Sequence, residues 1–271
     1  MLNKIFFFKY MLIKILKIIW AYLKILLKGD LRLLKLVVNR DYNSYRVKKI
    51  FSPISSKLTV NQKDFRSIIY KNFDYKYSLF RETFEKYNSN KGGQWKYING
   101  IIRTFLADMY EEELKGKKIT NLLEFGIGYE NQSAGASLRS WKKLYPKAKI
   151  YGADINKRVL FEEENIKTYF TDQLNKNELN ELKKKMNNVF FDVIIDDGLH
   201  TFESVTNTFE VFKDTLSKDG LYFIEDIIYF DLDKYYKFFE NTKFDFKIIE
   251  CLNINQTFAN CMIIIKHKKL Y

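Results

Sequence analysis

Two cysteines, two prolines and two histidines in 271 residues are the scarcities that narrow what this chain can be. Cys251 and Cys261 come late and ten positions apart, with no His or Cys cluster around them. That argues against a disulfide-stapled scaffold or a structural zinc site, and fits two small core residues in a reducing cytoplasm. Scarce proline beside abundant Lys, Asn and Ile reads as coding-sequence base composition, not as a functional signature. Long uncharged apolar runs are also missing near the N-terminus. The longest within residues 4–28 is Ile18 to Leu23. A membrane span needs roughly 18–20 such residues and a cleaved signal peptide about 7–15, so neither is expected. Acidic residues are rare at the same end: residues 1–50 carry twelve Lys and Arg against Asp30 and Asp41, so most of the net charge of +13 sits there. The remainder of the chain is nearly balanced, which argues against a nucleic-acid groove through the body.

What the first segment does have is amphipathic order. Over residues 2–38 at helical pitch, Lys9, Lys14, Lys17, Lys24, Lys28, Arg32 and Lys35 fall within an arc of about 140°. The rest of the wheel is mostly Ile, Leu, Phe, Tyr and Trp20. Residues 1–38 are therefore expected as a basic amphipathic helix lying on an anionic membrane surface, with packing of that apolar face on protein as the rival. A polar connector follows over 39–65, then an aromatic-rich, mostly helical stretch over 64–116, broken at Gly92-Gly93 and able to house a substrate lid.

From about residue 118 strands and helices alternate. Strands are expected at Ile119–Phe125, Lys149–Ala153, Lys167–Phe170, Phe191–Ile195, Leu221–Ile224, Phe246–Glu250 and Cys261–Lys266. Helices fill 133–145, 175–187, 203–217 and 231–241. The alternation implies an α/β fold, a doubly wound, seven-stranded, mostly parallel Rossmann-like sheet, with the last two strands an antiparallel hairpin. The expected organisation is an amphipathic helix over 1–38, a connector and helical lid over 39–117, and the α/β domain over 118–271.

The strongest chemical signal is Phe191-Asp-Val-Ile-Ile-Asp-Asp-Gly-Leu-His200 followed by Gly220-Leu-Tyr-Phe-Ile-Glu-Asp226. Each is a short apolar run ending in acids, as a buried parallel strand does at the end where α/β folds bind ligands. Asp196, Asp197, Glu225 and Asp226 thus meet at one rim with His200 just beyond. Carboxylate oxygens and a neutral imidazole suit Mg²⁺-assisted deprotonation. The first strand ends Leu123-Glu124-Phe125-Gly126-Ile127-Gly128, where glycines let backbone approach a ligand. No third fingerprint glycine follows, which argues against a dinucleotide. Asp154, before Ile155, ends the second strand where a carboxylate can hold ribose hydroxyls. Asp172 and Gln173 end the third, where polar groups can meet an adenine edge or simply cap a helix.

Together these segments, with Gly135-Ala-Ser-Leu-Arg-Ser-Trp141 and Tyr145-Pro-Lys-Ala-Lys-Ile-Tyr-Gly-Ala-Asp154, resemble the class I S-adenosylmethionine-dependent methyltransferases. The resemblance is nearer to the metal-dependent macrocin- and mycinose-type sugar O-methyltransferases and runs over roughly 118–228. It implies that Glu124, Gly126 and Gly128 shape the methionine end of an S-adenosylmethionine pocket, with Asp154 and Ile155 at the ribose and Asp172 and Gln173 near adenine. Asp197, Glu225 and Asp226 would ligate Mg²⁺, His200 would be the general base, and Asp196 would face the cofactor. One departure is Leu199, where the family usually has Ser. The implied partner is a glycan or glycolipid acceptor, with no nucleic acid, and family members often assemble as homo-oligomers. The expected place is the cytoplasm, peripheral to the inner membrane face. The rival readings are a non-catalytic tethered scaffold and a nucleic-acid methyltransferase.

Overall fold

The structure, a computed structural model, describes residues 68–71, 78–92, 94–97, 100–103, 105–128, 134–187, 189–227, 231–251 and 261–268. The amphipathic segment over 1–38 and the connector over 39–65 lie outside these. The chain divides into two units, Met1–Gln62 and Lys63–Tyr271, and every described residue belongs to the second. Among the described residues no helix is long and apolar enough to cross a membrane.

Along the chain run β1 (Ile68–Lys71), α1 (Leu79–Lys86), a 3₁₀ turn at Asn90–Gly92, β2 (Gln94–Tyr97), β3 (Gly100–Arg103), α2 (Leu106–Leu114), β4 (Asn121–Phe125), α3 (Ala136–Leu144), β5 (Lys149–Asp154), β6 (Glu162–Glu163), β7 (Ile166–Phe170), α4 (Lys176–Lys185), β8 (Phe191–Asp196), α5 (Phe202–Phe212), β9 (Leu216–Ile227), α6 (Leu232–Glu240), β10 (Phe244–Cys251) and β11 (Cys261–His267). The main sheet has the order β1-β10-β11-β9-β8-β4-β5-β7-β6, and β2 pairs β3 in a separate hairpin. Strands β9, β8, β4, β5 and β7 are parallel, while β11 runs antiparallel to both β9 and β10. The doubly wound mostly parallel sheet and its closing antiparallel hairpin are as expected. Two short edge strands, β1 and β6, bring the sheet to nine. Four and two residues long, they are too short to show a period-2 pattern.

Alternation along each strand splits the core in two. Leu122, Ile150, Val193, Ile195, Phe223 and Ile264 face α1, α2 and α3, around Phe84, Tyr110 and Trp141. Leu123, Phe125, Ile194, Tyr222, Ile224 and Ile263 face α4, α5 and α6, around Phe209, Phe212 and Phe239. Burial on both faces is what continuous apolar runs such as Val193–Ile195 require. The stretch expected as mostly helical before residue 118 holds two helices, the turn and a hairpin, and both helices are buried against the sheet.

Local chemistry fixes where the helices begin. The Asn175 side chain accepts from the N–H groups of Asn177 and Glu178 and starts α4. Thr201 and Ser204 form a reciprocal capping box that starts α5. Satisfying these orphan N–H groups places His200 as the last loop residue before the helix. Strand order reverses between β4 and β8, so the crevice beyond their C-terminal ends is the topological switch point.

Candidate active site

At that switch point the backbone closes tightly. The Asp197 N–H donates to the Phe125 carbonyl at 2.9 Å and the Gly126 N–H to the Ala153 carbonyl at 2.8 Å. Gly126 has φ +82°, and a Cβ there would stand 2.0 Å from the Asp197 carbonyl oxygen. Only glycine lets the β4 turn lie against the end of β8. Gly128, at φ +120°, is exposed, and residues 129–133 after it are outside the described set.

Beyond β8 and β9 the chain gathers Asp197, His200 and Asp226, whose ligand atoms lie within 4.8 Å of one another. His200 Nε2 is 3.6 Å from Asp197 Oδ1. All three are half-buried. His200 (φ 57°) and Asp226 (φ 50°) are left-handed non-glycine residues. Each costs of order 1–2 kcal/mol, a strain that concentrates at functional sites. Two carboxylates on a half-open rim match the oxygen donors of a hard divalent ion that keeps some of its water, with an imidazole beside them.

The structure does not bring Glu225 into that group, although the sequence pattern places it beside Asp226 as a ligand. Adjacent strand residues point to opposite faces. Glu225 turns inward instead: its Oε1 accepts from Lys91 Nζ at 2.7 Å and from the Tyr110 hydroxyl. Its Oε2 has no hydrogen-bond partner among the described residues. Burial, with Asp197 nearby, pushes the Glu225 carboxyl well above the carboxylate range despite Lys91. Lys91 also donates to Asp197 Oδ2 at 2.6 Å and lies 3.4 Å from Glu124 Oε1. Burial alone would push this ammonium down. Asp197, Glu225 and Glu124 together hold it well above the ordinary lysine range. Lys91 and Tyr110 are the residues that sequence reasoning missed. The only local signal was a lysine beside the Gly92-Gly93 break.

The remaining expected residues line the crevice or lie beneath it. Glu124 is fully buried, its Oε2 accepting from Trp141 Nε1 at 3.0 Å. Burial raises its carboxyl, and Lys91 counters only part of the rise. Asp154 accepts the Ile127 N–H at 3.0 Å on Oδ2 and the Asn156 N–H at 2.8 Å on Oδ1, so it ties the ends of β4 and β5 together, with half-buried Ile155 between. Asp172 Oδ1 accepts the Leu174 N–H at 2.9 Å. Gln173 clamps two loops: its Nε2 donates to Asp196 Oδ1 at 2.8 Å and Thr208 Oγ1 at 3.0 Å, and its Oε1 accepts the Leu199 N–H at 3.0 Å. Asp196 is fully buried on the far side of the strand from Asp197, and burial pushes its carboxyl up to about 6.

No protein-family model matches the chain. The sequence is 36% identical over 122 residues to demethylmacrocin O-methyltransferase of Streptomyces fradiae, covering 44% of this chain and 30% of that protein. It is 35% identical over 108 residues to mycinamicin VI 2''-O-methyltransferase of Micromonospora griseorubida, covering 39% and 27%. The chain is related over part of its length to the macrocin- and mycinamicin-type sugar O-methyltransferases. It spans less than a third of the length of these curated relatives. Among solved structures, MycE methyltransferase from the mycinamycin pathway, in complex with Mg, SAH and mycinamycin VI, superposes with a TM-score of 0.46 at 28% identity, covering 56% of this chain and 40% of that one.

Proposed function

We propose that this chain transfers a methyl group from S-adenosylmethionine to a sugar hydroxyl with the help of a divalent cation. The observation that carries the reading is the Asp197, His200 and Asp226 group at the switch point, beside a β4 turn that only glycine can make. Partial identity to enzymes named as sugar O-methyltransferases supports the reaction class.

Asp197 and Asp226 would hold the cation, which when bound supplies the Lewis acidity that lowers an alcohol's pKa. His200 takes the hydroxyl proton on Nε2 as the C–O bond forms and the methyl–sulfur bond breaks. An imidazole at this position can take that proton as a general base. Gly126 and Gly128 admit the methionine end of the donor, and Asp154 and Ile155 border its ribose. Asp172 lies where adenine would bind, while Gln173 and Asp196 set the shape of the loop carrying His200. Glu124 sits beneath the donor. The acceptor sugar belongs to a surface glycan or its lipid-linked precursor, which the basic segment over 1–38 would meet at an anionic membrane surface. The charge concentration in that segment is what supports this finer assignment.

The test is methyl transfer from labelled S-adenosylmethionine to a panel of glycosides. His200→Ala should lower kcat by roughly 10²–10⁴-fold with donor affinity intact, and chelation should abolish turnover. Failure of the wild-type chain to bind the donor, or turnover indifferent to chelator, refutes the proposal.

A further inference from the structure

We propose that Lys91 is a built-in cation of the carboxylate cluster, and that it weakens the site's hold on a divalent ion by occupying one oxygen of Asp197. The inference rests on the metal reading above and concerns a residue that reading does not use.

Lys91 is delivered from outside the α/β strands. It sits on the Asn90–Gly92 turn that follows α1. The Ser89 N–H donates to the Phe84 carbonyl at 2.9 Å, and the Gly92 N–H to the Ser89 carbonyl at 3.2 Å. A Cβ on Gly92 would stand 2.7 Å from the Glu85 nitrogen and 3.2 Å from the Arg81 carbonyl oxygen. The turn is therefore pressed onto α1 in a way that requires glycine, and this sends Lys91 inward until its side chain is 1% exposed.

An ammonium has three donors. Here Asp197 Oδ2 at 2.6 Å, Glu225 Oε1 at 2.7 Å and Glu124 Oε1 at 3.4 Å surround it. Asp197 is thereby divided. Its Oδ2 belongs to Lys91, and its Oδ1 faces His200 at 3.6 Å. A divalent ion among Asp197, His200 and Asp226 shares a carboxylate with a fixed positive charge and feels its repulsion. Both effects loosen the ion. Lys91 also engages Glu225 through one oxygen while the other has no partner among the described residues. Removing Lys91 would free Asp197 Oδ2 toward the ion. Were Lys91 only a support for the cluster, its loss would disorder the carboxylates and weaken binding. The two roles differ in sign.

The experiment titrates the full chain, free of donor and acceptor, with Mn²⁺, following free Mn²⁺ by electron paramagnetic resonance. Circular dichroism checks that each variant is folded. Lys91→Met should bind Mn²⁺ at least tenfold more tightly than the wild type. Because that variant leaves the buried Glu124 and Glu225 without their cation, Lys91→Met/Glu225→Gln is compared with Glu225→Gln alone, and the same tightening is expected. Equal or weaker binding on losing Lys91 overturns the inference, while wild-type binding abolished by Asp197→Asn leaves the metal reading standing. Absence of Mn²⁺ binding in every variant overturns both.

Discussion

Replacing Tyr110 by Phe removes one oxygen and nothing else from the interior. The ring is held by neighbours that the substitution leaves alone: Trp141 edge-on at 4.9 Å and Phe223 at 4.8 Å between centroids. No cavity opens, so the cost is that of the hydroxyl's bond to Glu225 Oε1. Burial first, and the Glu225 charge second, keep the Tyr110 phenol well above its ordinary value, so it remains a protonated donor across any practical pH. Removing one partner of a buried hydrogen-bonded group costs about 1–3 kcal/mol. Lys91 still reaches the same oxygen at 2.7 Å, which holds the loss to about 2 kcal/mol. For a unit of this size each kcal/mol moves Tm by roughly 2–4 °C, so a fall of about 4–8 °C is expected. The assay is urea denaturation followed by circular dichroism, with chelator present so that no ion masks the change. A cycle with Glu225→Gln should return a coupling of similar size. A loss under about 0.5 kcal/mol, or additive effects in the cycle, would refute the idea that Tyr110 stabilises the Glu225 carboxyl.

Gly126→Ala places a methyl 2.0 Å from the Asp197 carbonyl oxygen at φ +82°, and should cost at least about 3 kcal/mol. Donor binding by calorimetry should vanish with it; near-normal affinity would show that the β4 turn does not form the pocket. Asp192 gives a pH signature. Partial burial pushes its carboxyl up, but the N–H and hydroxyl of Thr120, the Asn121 N–H and the Ser217 hydroxyl outweigh this and hold it below the usual value. A depressed acid stabilises the fold fully above its unfolded pKa near 3.9, and that contribution is lost as pH falls through the lower folded value. Asp192→Asn should therefore cost about 1 kcal/mol at pH 7 and flatten the acid limb of stability below about pH 4, measured by denaturation at stepped pH. An unchanged acid limb would dismiss the assignment.

The parallel sheet was readable because its central strands, β8 above all, are apolar runs ending in polar residues and alternate with helical patterns. The closing hairpin of β10 and β11 was readable because no helix pattern separates them. Asp197 directly follows β8, His200 closes the loop after it and Asp226 is the second-last residue of β9, so the main chain at two strand ends decides where all three lie. Glu225 lies apart from that group for a reason the sequence does not carry. Its side chain is held by Lys91 and Tyr110, which lie 134 and 115 positions away. Those partners come from α2 and the turn after α1, whose sequence shows a helix and a glycine break but not the face of the sheet they meet. Gln173 is a similar case. Its position at the end of β7 suggested adenine, yet the nearby Asp196 and Thr208 engage its amide, a pairing set by how loops pack.

The acids at this switch point fall into two populations. Glu124, Asp196 and Glu225 are inaccessible to water, and each is met by a donor from another element: Trp141, Gln173, and Tyr110 with Lys91. A buried carboxylate without such a donor would protonate or destabilise the fold. These three thus tie helices and loops to the strand ends. Asp197 and Asp226 are half-buried, and Asp226 adopts a strained backbone with His200 beside it. Strain retained where water can enter is not needed to hold the core together. It is the arrangement expected of groups positioned for a ligand. Asp197 belongs to both populations, with one oxygen on Lys91 inside and the other toward His200 outside. It is through this carboxylate that the packing of α1 and its glycine turn reaches the reacting rim.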